Sequence, residues 1–86
     1  TQQVAYARQV AMYLAARLTD KSHVQIGVHI GNRNHATVIH ALKQIKDMME
    51  VDEKVRQDIE ELMDTLVYHI ETNRHMMRSI VRKNEA

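Results

Sequence analysis

Not one proline occurs in the 86 residues. Proline lacks a backbone N–H and locks φ, so it ends helices more sharply than any other residue. Without it, long helices run unopposed, and only Gly27 and Gly31 offer another kind of break. Phenylalanine and tryptophan are also missing, and no stretch alternates apolar and polar residues with the composition of a strand. These features predict one all-α domain with a modest core of Leu, Ile, Val, Met and Ala. The absence of cysteine excludes disulfides and thiolate metal sites.

The net charge of +1 hides a strong asymmetry. Residues 1–46 carry six bases (Arg8, Arg17, Lys21, Arg33, Lys43, Lys46) against Asp20, a net of +5. Residues 47–72 carry nine acids against Lys54 and Arg56, a net of −7, and residues 73–86 carry four bases against one acid, a net of +3. Such a chain can meet a polyanion with one part while its acidic part faces away. Solvated helix faces would give the same tally. No apolar run approaches the ~20 residues of a bilayer span, and no basic-then-apolar leader precedes the first helix. A cytoplasmic protein is expected, and a start at Thr1 rather than Met suits a piece of something longer.

Periodicity divides the chain into four helices. Val4, Ala7, Ala11, Leu14 and Leu18 recur at three- and four-residue steps, predicting a first helix over about 3–18. Ser22 stands three residues before Gln25, the capping-box spacing that opens a short second helix ending at Gly31. Gly31-Asn32-Arg33-Asn34 is a turn, and Asn34 is placed to cap a third helix running to about Glu50. Val38, Leu42, Ile45 and Met49 should face inward from it. Asp52 should cap a last helix whose stripe (Val55, Ile59, Leu62, Leu66, Ile70, Asn73, Met77, Ile80) is heptad-like and longer than a small domain needs.

Two helices joined by a short glycine-containing turn suit a helix-turn-helix, which would aim the start of the third helix into a DNA major groove. The residues there have suitable chemistry. Arg33 can pair with phosphate or guanine, and Asn34 with an adenine edge. Ala36 and the Thr37 methyl can touch a thymine methyl. His35 can donate to phosphate, and Ser22 with nearby helix amides can hold phosphates without reading sequence. Equally, Asn34 can serve only as a cap, Arg33 as a solvated turn residue and His40 as a surface histidine or a support for the reading face.

The stretch Gly31 to Ala41 (GNRNHATVIHA) resembles the signature of the bacterial replication initiator family, DnaA, usually written GGRDHTTVxHA. Upstream, Ala5 to Gln9 and Ala11 to Leu14 resemble its ARPRQ-x-AMYL, and Leu18-Thr19 and Ile26-Gly27 fall at its spacings for LT and IG. The resemblance covers about residues 4–66 without gaps. It implies a Trp-repressor-like helix-turn-helix domain over 1–66 that reads a short duplex box at replication origins, with 67–86 a helical basic extension. Arg33, His35 and Thr37 match and carry over as DNA contacts. The full set of candidate contacts is Arg8, Lys21, Ser22, Asn32, Arg33, Asn34, His35, Ala36, Thr37 and His40.

The departures matter too. The second signature glycine is Asn32, the base-reading aspartate is Asn34, and the first threonine is Ala36. A changed base preference follows, since one good base contact carries about 1–3 kcal/mol of discrimination. The family's basic minor-groove loop would precede Val4, where only Thr1, Gln2 and Gln3 stand. Its ATPase module has no counterpart here, so no nucleotide hydrolysis is expected.

An enzyme is not expected. There is no thiol nucleophile, the serines are Ser22 and Ser79, and the two glycines form no phosphate-cradling loop. The six histidines lack the four-residue spacing that converges two imidazoles on a helix, so no metal or other cofactor is expected. The rival reading is a protein–protein interaction or dimerisation module with lost or weak DNA binding. In it the stripe from Val55 to Ile80 pairs with a second copy, or with another helix. Packing of the same stripe back over the first helix is the simpler alternative.

Overall fold

The computed structural model describes the backbone of residues 1–85. All regular structure among the described residues is helical: α1 (Gln2–Leu18), α2 (His23–His29), α3 (His35–Val51) and α4 (Glu53–Glu85). Each start is capped by a local side chain. Thr1 Oγ1 accepts from the Val4 amide at 3.2 Å. Ser22 and Gln25 form both halves of a capping box, at 3.1 and 2.9 Å. Asn34 Oδ1 accepts from the Thr37 amide, and Asp52 Oδ1 from the amides of Lys54 and Val55. These acceptors satisfy amides that a helix start leaves without partners.

The core has two parts that share α3. Met12, Ile26, Val38 and Ala41 join α1, α2 and α3, with Ala15, Ala16, Ile30 and Leu42 around them. Leu14, Ile45 and Ile59 join α1, α3 and α4, flanked by Tyr6, Val10, Tyr13, Leu18, Met48, Met49, Val55 and Met63. Each fully buried Met, Ile or Val contributes roughly 1.5–3 kcal/mol, and no polar side chain is buried among them. Gln9 Nε2 donates to Gln44 Oε1 at 3.0 Å on the surface, tying α1 to α3.

The inward face of α1 differs from the stripe read in the sequence. Val4 and Ala7 are exposed, and Met12 is completely buried. In the first two turns of α1 it is Tyr6, rather than Val4 or Ala7, that reaches the core, and farther along Met12 and Leu14 enter its two parts. In α3 the small Ala41 lies deeper than Leu42: Ala41 sits within the cluster that α1, α2 and α3 form, and Leu42 only flanks it.

The last helix does not fold back. Ile59 is buried and Met63 half-buried, but every residue from Asp64 to Lys83 is exposed. At 1.5 Å per residue, 33 helical residues span about 50 Å, which is the long dimension of the 51 × 29 × 21 Å molecule. The radius of gyration is 15.8 Å, against about 12 Å for a compact domain of this length. A small three-helix head thus carries a rod, and α4 crosses the 66–67 boundary without a break.

Candidate nucleic-acid interface

Two glycines shape the connection between α2 and α3. Gly27 lies in α2 under the turn, where its carbonyl accepts from the Arg33 amide at 2.7 Å. A Cβ on Gly27 would run into the Arg33 carbonyl and stand 3.3 Å from Val38 Cγ2. Only a glycine lets the turn lie this close to the helix. Gly31 then reverses the chain at φ +84°, and Asn32 follows at φ +49°. The left-handed region is open to glycine and, among other residues, best tolerated by asparagine. Asn32, which stands where the DnaA signature has its second glycine, therefore retains the backbone the turn needs.

This turn presents one continuous exposed segment, Gly31 to Thr37. Arg33 projects from the turn, and its Cγ would lie 3.5 Å from a Cβ on Gly31. Arg8 of α1 reaches the same place: its Cδ and Nε would stand 3.1 and 3.4 Å from that Cβ. Two guanidinium side chains from distant parts of the sequence thus flank the turn. Among the described residues the ion pairs take up Lys43, Lys54 and Arg56, leaving Arg8, Lys21 and Arg33 without a carboxylate partner.

Asn34 is committed to its cap. Its Oδ1 accepts from both the amide and the hydroxyl of Thr37, at 3.0 and 3.2 Å. The carbonyl oxygen has two lone pairs, and both are engaged, so the side-chain NH2 is what remains for an outside partner. The bidentate adenine contact read from the sequence would require breaking the cap. Neither α2 nor α3 has an acid in its first turn, so the positive end of the 17-residue α3 is unopposed. His35 and Ala36 begin α3, both exposed, and His40 stands about one turn beyond Ala36. There His40 edges a shallow depression with Lys43, Gln44, Asp47, Met48 and Val51. Ser22 Oγ is engaged as an acceptor in the capping box, which leaves its hydrogen free to donate. Lys21 beside it is exposed.

The structure therefore gathers Arg8, Asn32, Arg33, Asn34, His35, Ala36 and Thr37 around one turn. Lys21 and Ser22 sit at the opposite end of α2. No group of three or more His, Asp or Glu side chains among the described residues converges as a metal site would require. A further basic cluster escaped the sequence: Arg17, Lys43 and Lys46 border a depression floored by Tyr13, Ala16 and Leu42. Only the packing of α1 on α3 brings them together. The four-residue spacing of Tyr13 and Arg17 and the three-residue spacing of Lys43 and Lys46 were the available hints.

The first 45 residues match the family model for the bacterial dnaA protein helix-turn-helix, a stretch that holds α1, α2, the turn and most of α3. This chain belongs to the DnaA helix-turn-helix family. Similar proteins are chromosomal replication initiator proteins DnaA. One from Ehrlichia ruminantium (strain Gardel) is 55% identical over 56 residues, 65% of this chain and 12% of the relative. One from Anaplasma marginale (strain St. Maries) is 57% identical over 63 residues, 73% of this chain and 13% of the relative. One from Bacteroides thetaiotaomicron is 47% identical over 64 residues, covering 74% and 14%. The chain thus spans about an eighth of the length of the DnaA proteins it matches. Within this DnaA family segment lie all ten candidate contacts, and the apolar residues that fix the turn (Ile26, Gly27, Val38) are buried.

Proposed function

We propose that the chain binds double-stranded DNA in a sequence-dependent way, with the first turns of α3 in the major groove, and acts by binding rather than catalysis. The observation that carries this reading is the turn itself. Gly31 to Thr37 is wholly exposed, flanked by the unpaired Arg8 and Arg33, and stands at a helix N-terminus free of acids. Arg33, with Lys21 and Ser22 across α2, would hold phosphates and set the docking register. The Asn34 amide, Ala36, Thr37 and His35 would meet base edges. Membership of the DnaA family supports a role in replication initiation, to which this chain would contribute DNA contact.

Acid is kept away from the start of α3. The nearest acids of α3, Asp47 and Glu50, lie twelve or more residues past His35, about 18 Å along the helix. Binding of labelled duplexes over a salt series, comparing an initiator-type box with scrambled DNA, tests the proposal. Preference for the box supports base reading by residues 33–37. Equal, steeply salt-dependent binding would reduce it to phosphate contact. No binding at low salt would remove it.

A further inference from the structure

The bare half of α4 has no part in the duplex reading. Its apolar stripe begins inside the head at Ile59, which is 1% exposed, and continues through Leu66, Ile70, Met77 and Ile80, which are 38–59% exposed. Leu66 and Ile70 also wall an apolar groove against Ala11, Leu14, Ala15 and Leu18 of α1. The stripe is therefore continuous from the core, through a groove, onto a rod that nothing covers. Contiguous exposed apolar surface of this kind marks an interaction site.

The charges on the rod say what covers it. Residues 53–72 carry six acids against Lys54 and Arg56, while residues 73–83 carry four bases and no acid. Lys54 and Arg56 are already paired within their own helix, to Asp58, Glu53 and Glu60. The unpaired charges among the described residues are acidic in the first half of the rod and basic in the second. Two such rods side by side and parallel would set like charges together. Antiparallel about Asn73, the basic residues 74–83 lie along residues 63–72 of the other copy, which hold Asp64 and Glu71 and no lysine or arginine.

We propose that α4 pairs antiparallel with α4 of a second copy of this chain, the two-fold axis crossing near Asn73. In that register Leu66 lies opposite the second copy's Ile80, Ile70 opposite Met76, and Asp64 opposite Arg82. Asn73, the one polar residue of the stripe, meets its own counterpart, as a buried polar residue does where it fixes the register of paired helices. The Ile80 end of one rod enters the α1–α4 groove of the other. Apolar burial supplies the affinity, and the charge pattern selects orientation more than strength. Glu53 is 20 residues from the axis, about 30 Å, so the two heads stand at opposite ends of a shared rod. Their α4 starts are about 60 Å apart, well beyond the ~34 Å between half-sites one turn apart. The pairing does not depend on whether the heads bind DNA.

Sedimentation equilibrium of the whole chain over a wide concentration range reads this directly. A monomer–dimer equilibrium is expected. Ile70→Glu with Ile80→Glu should leave monomer at every concentration, with the helical head still melting cooperatively. Arg78→Glu with Arg82→Glu should weaken association by about tenfold or more, about 1.4 kcal/mol. Orientation is read by crosslinking, since the chain has no cysteine of its own. A mixture of Leu66→Cys and Ile80→Cys chains should form the mixed disulfide, and Leu66→Cys alone should not link to itself. A parent chain that is monomeric throughout would overturn the proposal and assign the stripe to a different partner. So would a dimer that survives the two glutamates, and self-linking of Leu66→Cys would overturn the antiparallel arrangement.

Discussion

At the residue scale, Asn34 separates two jobs that share one side chain. Its oxygen closes the start of α3 on Thr37, and only its NH2 is left to face outward. Asn34→Ala should destabilise the fold by about 1 kcal/mol through loss of the cap. Asn34→Asp, which restores the DnaA signature residue, should hold stability or raise it, since a carboxylate at a helix start keeps the acceptor and favours the dipole by about 0.3–1 kcal/mol. It removes the donor, however, so base preference should shift. Urea unfolding of both variants alongside duplex competition checks the pair, and equal destabilisation by Asp and Ala would refute the cap. Arg33→Ala and Thr37→Ala should weaken duplex binding with helicity unchanged, because neither side chain supports the core. Circular dichroism beside a binding titration measures both. Unaltered binding would place the DNA surface elsewhere.

At the element scale, the α2–turn–α3 unit depends on a close backbone approach. Gly27→Ala puts a methyl against the Arg33 carbonyl. Neither backbone can yield without spoiling the Arg33 amide bond to Gly27, so a loss of about 1–3 kcal/mol is expected, as for overpacking in a core. Thermal unfolding of Gly27→Ala reads this, and a melting temperature equal to the parent's would show that the turn has room. α4 makes the opposite case. Its first turns belong to the core through Val55 and Ile59, but nothing from Asp64 to Lys83 is buried. Ending the chain after Leu66 should therefore change the monomer's stability by less than about 1 kcal/mol, within about 4–8 °C in Tm. A larger drop would mean that the rod supports the head. The exposed pairs Lys43–Asp47 and Lys54–Asp58 push both lysine pKa values up, first through the hydrogen bond to the aspartate and then through its charge. A raised lysine contributes fully at neutral pH and loses its effect only as pH climbs through the raised value. These pairs should give no pH dependence of folding near neutrality.

At the scale of the whole molecule, charge is divided by place: a basic head, an acidic first half of the rod and a basic second half. Duplex binding should fall with salt in proportion to the phosphates engaged. Lys21→Ala should weaken binding to all sequences alike and reduce the slope of log K against log salt by about one. A sequence-dependent effect would make Lys21 a base contact instead. The sequence alone carried the helical class, three of the four caps (Ser22, Asn34 and Asp52), the turn and the DnaA resemblance. Each is written in neighbouring residues: a missing proline, a polar acceptor three residues before an amide, a glycine beside an asparagine. Local chemistry of this kind acts over one helical turn and is legible without a partner. The tertiary structure alone decided that Met12 and Ala41 lie in the core while Val4 does not, and that Arg8 stands over Gly31. It also decided that no residue of α4 from Asp64 to Lys83 is buried. These depend on which helix lies opposite and where it stops. An apolar stripe reads the same whether a neighbour covers it or a second copy must.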